Sequence, residues 1–178
     1  MNYLAITHED VCNGIGLRCV IWCSGCSHAC RLCQNPQTWD PKSGIPFDED
    51  AKQAIFNKLS KDYISGLTLS GGDPLFKDNV EEIYKLVVEV KQKFPTKNIW
   101  LYSGYTWEQL FEDDDFDKQE ISANQYRRAI ILMCDVFVDG EYIDEQRDVT
   151  LKWCGSKNQR VIDISETIKK GEIVLWTE

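Results

Sequence analysis

Short hydrophobic runs, each bounded by turn-forming residues, recur along the chain. They read CVIWC, GLTLS, NIWLYS, DVFVD, RVIDI and EIVLW, at residues 19–23, 66–70, 98–103, 135–139, 160–164 and 172–176. Runs of this length, whether continuous or alternating with polar residues, are typical of β-strands. The pattern therefore predicts roughly six strands.

Two segments between these runs repeat their apolar residues every three or four positions, as one face of an amphipathic helix does. They are DEDAKQAIFNKLSK at residues 48–61 and NVEEIYKLVVEVKQKF at residues 79–94. Asp48 is placed to cap the first helix through its carboxylate. Weaker helical patterns begin near Thr106 and cover residues 121–132. The chain thus alternates between strands and helices.

This alternation indicates parallel βα units, in which each helix packs against the sheet. A full eight-unit barrel needs about 250 residues, and this chain has 178. We therefore predict one domain over residues 1–178, an incomplete (β/α) barrel with a curved, mostly parallel sheet of about six strands. Ligands in such folds bind beyond the carboxyl ends of the strands.

Composition and charge narrow the possible partners. The net charge of -9 argues against nucleic acid, because phosphate binding needs concentrated Lys and Arg. No apolar run approaches the roughly twenty residues that span a membrane, and the start MNYLAITHED does not resemble a signal peptide. We expect a cytoplasmic protein without a membrane partner. The acidic run EDDDFD at residues 112–117 is expected to be a solvated loop, with a docking surface as the alternative.

Six of the eight cysteines lie between Cys12 and Cys33. Without a secretory signal, such a cluster favours metal binding over disulfides. The stretch CSGCSHACRLC at residues 23–33 contains four thiols. Zinc sites usually take two cysteine pairs that lie well apart in sequence. A zinc-binding interaction module using all four thiols would need an unusual wrap of one short loop, and it stays open as an alternative.

Cys23 ends the apolar run CVIWC, which is typical of a small buried hydrophobic residue. The remaining Cys-x3-Cys-x2-Cys spacing after a first strand resembles the radical S-adenosylmethionine enzymes. The resemblance implies that Cys26, Cys30 and Cys33 ligate three irons of a [4Fe-4S] cluster, and that S-adenosylmethionine chelates the fourth. One departure is Leu32, where the family often has an aromatic residue.

The segment LSGGDPL at residues 69–75 resembles the glycine-rich motif of the same family. The resemblance implies that Ser70, Gly71, Gly72 and Asp73 line the methionine end of the cofactor. Two glycines allow the backbone to approach a ligand closely. An ordinary strand-to-helix turn is the alternative interpretation.

Further cofactor contacts are expected at strand ends. Asp139 follows DVFVD's hydrophobic run, where related activating enzymes carry a carboxylate near the cofactor, and a turn residue is the alternative. Ser103 carries the same two interpretations. Asn158 and Arg160 open the run RVIDI, and Arg160 is suited to pair with the cofactor carboxylate or with a surface acid. No general base is needed, so His28 is expected beside the cysteines or at the surface.

Residues 13–40, 102–110, 135–142 and 155–164 resemble one branch of the family, the activators of anaerobic ribonucleoside-triphosphate reductase. The resemblance implies reductive cleavage of S-adenosylmethionine to a 5'-deoxyadenosyl radical, which takes a hydrogen from a glycine. The implied partners are the glycyl-radical catalytic subunit and a low-potential electron donor such as flavodoxin or ferredoxin. Cys154 occupies a position that is often arginine in that branch.

Two other radical enzymes remain as alternatives. One is an activator of another glycyl-radical enzyme, such as pyruvate formate-lyase, although those activators are usually longer. The other is a small enzyme acting on a metabolite, such as a deazapurine-forming one. The short chain favours an activator, because a partial sheet leaves a lateral opening wide enough for a protein loop.

Overall fold

A single open sheet organises the molecule. The computed structural model describes residues 1–113 and 120–177. Its strands are β1 (Asn2–Asp10), β2 (Leu17–Cys23), β3 (Ile45–Pro46), β4 (Ile64–Gly71), β5 (Asn98–Tyr102), β6 (Val136–Asp139) and β7 (Arg160–Asp163). They lie in the order β3-β1-β2-β4-β5-β6-β7.

Five α-helices accompany the strands in the described part of the chain. They are α1 (Glu49–Leu59), α2 (Val80–Lys93), α3 (Trp107–Phe111), α4 (Ile121–Met133) and α5 (Ile164–Lys170), with 3-10 turns at Pro36–Thr38 and Asp144–Gln146. The predicted cap is confirmed, because the Asp48 carboxylate accepts from the Ala51 N–H at 2.9 Å. Thr106 caps α3 with a reciprocal bond to Gln109. The four predicted helices are confirmed, and α5 was not predicted.

The prediction of a mostly parallel sheet is wrong. Strands β2, β4, β5 and β6 pair in parallel, but β1, β3 and β7 pair antiparallel at the two edges. The α/β class holds, whereas the sheet is mixed, open and seven-stranded rather than six-stranded. The reason at one edge is the connection from β6 to β7, which contains no crossover helix, and parallel neighbours require a crossover.

Two local predictions also differ from the structure. The N-terminal strand β1 was not predicted, because its residues alternate weakly and none is fully buried. The run at 172–176 was predicted as a strand, yet it forms only an isolated bridge between Leu175 and Ile162.

Alternation along the central strands divides the side chains between two faces. Cys19, Ile21 and Cys23 of β2 join the main core beneath the helices, together with Leu67 and Leu69 of β4. On the opposite face a smaller core forms around Trp100, Val136 and Val138, packed against Trp153, Cys154 and Trp176. The carboxyl ends of the parallel strands open between this smaller core and the cysteine loop.

Arg18 is fully buried on the smaller-core side of β2. Its guanidinium donates to Thr68 Oγ1 at 2.6 Å, to Asn98 Oδ1 at 2.7 Å and to the Leu67 carbonyl at 2.8 Å. It also lies over the Trp100 ring, 5.4 Å from the centroid. Burial lowers the pKa of Arg18 to about 10. The Arg18 side chain, from β2, therefore links three neighbouring strands, because its hydrogen bonds reach both β4 and β5.

Replacing Arg18 by methionine is expected to destabilise the protein by about 3 kcal/mol, because it leaves buried acceptors without a donor. Chemical denaturation of the cluster-free protein measures this loss. Arg31→Met is the matched control, since the Arg31 side chain is 73% exposed. A similar stability for both variants would contradict the assigned role of Arg18.

No helix in the described ranges is both long and apolar enough to cross a lipid bilayer. Of the acidic run at 112–117, Glu112 and Asp113 are exposed. Residues 114–117 of that run, on which the solvated-loop interpretation also rests, lie outside the described residues.

Candidate iron-sulfur centre

The cysteine loop separates one buried thiol from three accessible ones. Cys23 ends β2 with its side chain fully buried under the helices, and burial raises the pKa of its thiol to about 12. The interpretation of Cys23 as a buried hydrophobic residue is confirmed. Cys26, Cys30 and Cys33 lie in the following loop and are partly exposed.

Backbone hydrogen bonds fix the beginning of this loop. The Gly25 N–H donates to the Thr38 carbonyl at 2.7 Å, and the Cys26 N–H donates to the Trp39 carbonyl at 3.1 Å. The Gly25 carbonyl accepts from the Asp73 N–H at 2.8 Å. The glycine-rich turn and the start of the cysteine loop are therefore directly bonded.

Backbone N–H groups also face the sulfur atoms. The Asn35 N–H donates to Cys33 Sγ at 3.4 Å. Burial raises the pKa of the Cys26 thiol to about 12. Hydrogen bonds from the backbone N–H groups of His28 and Ala29 act to lower this pKa. Burial likewise raises the pKa of Cys30, opposed by the N–H of Tyr142. Such donors stabilise cysteine thiolates and are typical of iron-sulfur sites.

Within the part of the chain that the structure describes, no three Cys, His, Asp or Glu side chains surround one ion position. Cys23 is fully buried, whereas Cys26, Cys30 and Cys33 are partly exposed, so Cys23 does not share the accessible part of the loop with them.

Both oxygens of the Asp73 carboxylate are hydrogen-bonded within the protein. Its Oδ2 accepts from Ser103 Oγ at 2.9 Å and from the Gly104 N–H at 3.1 Å, and its Oδ1 accepts from the Leu75 N–H at 2.8 Å. His28 Nε2 lies 2.8 Å from Oδ2 as well. The side chain is 1% exposed. The structure thus brings Asp73 and Ser103 together, and their side chains hydrogen-bond to each other.

The two glycines of the turn pack against backbone. A Cβ on Gly71 would lie 2.5 Å from the Cys23 nitrogen, and one on Gly72 would lie 2.6 Å from the Gly25 carbonyl oxygen. The close approach that sequence reasoning assigned to a ligand therefore serves the cysteine loop in this structure. Ser70 alone of this segment lines the neighbouring cavity.

That cavity holds about 470 Å³ at the carboxyl ends of β2, β4 and β5. The strands contribute Trp22, Ser70 and Tyr102 to its wall, and the cysteine loop contributes Cys33 and Asn35. The other lining residues include Cys12, Asn13, Tyr142, Leu151, Trp153, Cys154, Gly155 and Gln159. The Tyr102 hydroxyl is buried and has no hydrogen-bond partner among the described residues. Burial raises the pKa of Tyr102 above its ordinary value.

Asp139 and Arg160 form a separate network. They are directly opposed in the β6–β7 pair, where Arg160 Nε donates to Asp139 Oδ1 at 3.0 Å. Asp139 also accepts from the Trp107 N–H at 3.0 Å. Arg160 makes a bidentate pair with Glu108 at 2.8 and 2.7 Å. Asn158 donates to the Glu141 carbonyl at 2.8 Å. The three candidate cofactor contacts, Asp139, Asn158 and Arg160, do not line the cavity.

The Arg160–Glu108 pair gives a pH-dependent prediction. The hydrogen bond from Arg160 lowers the pKa of Glu108 to about 2. A lowered folded-state pKa stabilises the protein above the unfolded value, and this contribution disappears as pH falls from about 4.5 to about 2. The Glu108 side chain is 45% exposed, so we expect Glu108→Gln to cost only about 0.5–1 kcal/mol near pH 6.

Thermal unfolding of the cluster-free wild type and Glu108→Gln measures this, with the gap closing below pH 4. Glu145→Gln, in an exposed pair with Arg31, serves as the control. A constant difference between wild type and Glu108→Gln from pH 6 to pH 2.5 would contradict the assignment.

Sequence reasoning missed the contribution of Tyr102, Cys12 and Glu141 to this region. A signal existed for Tyr102, because it stands two residues after Trp100 and thus on the same strand face. His28 was expected beside the cysteines or at the surface. Its side chain is 8% exposed and reaches two carboxylates.

Comparison with known proteins agrees with the geometry. Residues 12–162 match the family described as "4Fe-4S single cluster domain". The chain is 44% identical to the anaerobic ribonucleoside-triphosphate reductase-activating protein of Haemophilus influenzae, over 89% of this chain and 96% of that protein. It is 40% identical to the protein of the same name from Vibrio cholerae (89% and 96%) and 41% identical to that of Enterobacteria phage T4 (90% and 93%). The chain therefore belongs to the family of anaerobic ribonucleoside-triphosphate reductase-activating proteins.

Proposed function

We propose that this protein is a radical S-adenosylmethionine enzyme that installs a glycyl radical on an anaerobic ribonucleoside-triphosphate reductase. One observation carries the proposal: three partly exposed thiols follow β2, and one of them, Cys33, lines a cavity of about 470 Å³ at the strand ends, in a chain of this family. A catalytic metal site differs from a structural one by its open position. Three ligands on a four-iron cluster leave such a position.

In this proposal Cys26, Cys30 and Cys33 hold the cluster. When bound, the cluster and S-adenosylmethionine supply reductive carbon-sulfur cleavage and hydrogen-atom abstraction. Ser70 lines the same cavity as Cys33, which supports its assignment to the methionine end of the cofactor, while Gly71 and Gly72 let this turn pack closely on the backbone at Cys23 and Gly25.

The other candidate residues divide into two groups. The first group is Asp73 and Ser103. Their side chains bond to each other and so hold the glycine-rich turn against the end of β5. We assign Asp139 and Arg160 to the ion-pair network with Glu108 rather than to the cofactor. Asn158 holds the connection between β6 and β7 through the Glu141 carbonyl.

The cavity wall suits radical chemistry on a polypeptide. Trp22, Tyr102 and Trp153 line the cavity with aromatic surface, which would exclude water from a glycine-bearing segment of the partner bound there. The Tyr102 hydroxyl offers an unused hydrogen bond for whatever occupies the cavity. A low-potential donor such as flavodoxin or ferredoxin would provide the electron.

The test combines the reconstituted protein, reductant, S-adenosylmethionine and the reductase catalytic subunit under anaerobic conditions. We expect a glycyl doublet in the electron paramagnetic resonance (EPR) spectrum. Omission of S-adenosylmethionine, or use of Cys30→Ala, should remove the doublet. A wild-type protein with a full cluster that yields no doublet would overturn the proposal. Pyruvate formate-lyase as the partner is expected to give none.

A further inference from the structure

His28 lies where three segments of the site meet. It belongs to the cysteine loop, its Nε2 is 2.8 Å from Asp73 Oδ2 in the glycine-rich turn, and its Nδ1 is 2.9 Å from Glu141 Oε1 after β6. The connection that begins at Glu141 forms one wall of the cavity, from Tyr142 to Gln159. One side chain thus joins the cysteine loop to the glycine-rich turn and to the connection after β6.

The chemistry of the two partners defines the bonds. Each ring nitrogen lies within hydrogen-bond distance of a carboxylate oxygen, which accepts whenever that nitrogen carries a proton. The Asp73 carboxylate is immobilised by Ser103, Gly104 and Leu75. It is therefore a fixed anchor for the loop rather than a mobile surface charge.

The surroundings of the ring are built to its shape. The Tyr105 ring packs edge-on against it, with centroids 4.6 Å apart at 75°. A Cβ on Gly104 would lie 2.5 Å from His28 Cδ2, so only glycine leaves enough room there. These contacts fix the ring orientation independently of its hydrogen bonds.

The rest of the loop has few comparable restraints. Between Cys26 and Cys33, the side chains of Ser27, Ala29, Arg31 and Leu32 are exposed. The pair between Arg31 and Glu145 joins side chains that are 73% and 67% exposed, and such pairs contribute little. His28 is therefore a buried side-chain link between the cysteine loop and the remainder of the site.

We infer that His28 is a positioning residue, which pins the three-cysteine loop to the Asp73 turn and to the connection after β6. The inference rests on the proposed function, because it concerns how that cluster and its cofactor are held in register. Groups that orient metal ligands typically change metal affinity by about 10–100-fold when removed. A side-chain link between the ligand loop and the cofactor turn, added to the backbone bond at Gly25, should affect both cluster retention and cofactor response.

The test uses His28→Phe, which keeps a ring against Tyr105 but loses both ring nitrogens, and His28→Gln, which keeps a side-chain amide able to bond to one carboxylate. We expect iron loss to a chelator to be about tenfold faster in His28→Phe and intermediate in His28→Gln. The concentration of S-adenosylmethionine that changes the EPR spectrum of the reduced cluster should rise by about tenfold. Arg31→Gln, in the same loop, should stay within about twofold of wild type.

Thermal unfolding of the cluster-free proteins separates positioning from folding. Should His28→Phe fail to fold, Glu141→Ala removes one accepting carboxylate from a half-exposed position and is expected to speed iron loss about threefold. Unchanged iron loss and an unchanged EPR response in His28→Gln and Glu141→Ala would overturn the inference. A wild type that binds no cluster would instead overturn the proposed function.

Discussion

Alanine at Cys26, Cys30 or Cys33 is expected to remove the iron-sulfur cluster, whereas Cys23→Ala is expected to retain it. The three loop thiols are accessible, but the Cys23 side chain is fully buried in the core beneath the helices. A thiol that points into an apolar core cannot reach a cluster in the loop without breaking β2. Removing it creates only a small cavity, which costs about 1 kcal/mol.

Iron and sulfide content after anaerobic reconstitution, together with the visible absorption of the cluster, distinguishes the variants. Cys134→Ala is the matched control, because Cys134 is also a buried thiol with a raised pKa and lies at the end of α4. Loss of the cluster in Cys23→Ala, with normal retention in Cys134→Ala, would show that the ligand assignment is wrong. A colourless protein that retains zinc would support the interaction-module alternative.

Gly71→Ala is expected to destabilise the cluster-free protein by about 4 kcal/mol and to prevent cluster assembly. Gly71 has a φ of 108°, a conformation that residues with a side chain rarely adopt. The added methyl group would also lie 2.5 and 2.6 Å from the nitrogen and carbonyl oxygen of Cys23. Because both obstacles are backbone atoms, β2 and β4 would have to separate at the cysteine loop.

A second glycine isolates the contribution of the contact. Gly171 ends α5 with a φ of 69°, and a Cβ there would meet nothing within 4 Å. Gly171→Ala therefore carries backbone strain alone, worth about 1 kcal/mol. Denaturation midpoints of the two variants give the difference. Equal losses would mean that strain, and not the packing of the turn on the cysteine loop, makes glycine necessary at Gly71.

The central strands and the main helices were predictable because packing gives them a strong period. Strand β4 is almost entirely buried and α2 buries one face, so their apolar residues follow the expected spacing. Strand β1 lacks this signal, since none of its residues is fully buried. The run at 172–176 has the apolar pattern of a strand but does not form one. Val174 and Trp176 each make one backbone hydrogen bond to β7.

The site was predictable only where a motif defines it. The cysteine spacing and the glycine-rich turn can be recognised from local sequence. The partners of Asp139 and Arg160 cannot, because they depend on the antiparallel register of β6 and β7 and on the position of Glu108. The pairing of Asp73 with His28 likewise joins residues 45 positions apart, a distance over which sequence pattern carries no information.

The exposure of the cysteine loop has a consequence for how the centre meets its surroundings. Leu32, adjacent to Cys33, is 66% exposed, and Ala29 is exposed as well. A cluster held by these cysteines would lie just beneath the molecular surface, so we expect a docked redox protein to transfer an electron to it in one short tunnelling step. We expect the same thin cover to admit dioxygen, so that the access of electrons to the cluster and its sensitivity to oxygen would have one structural cause.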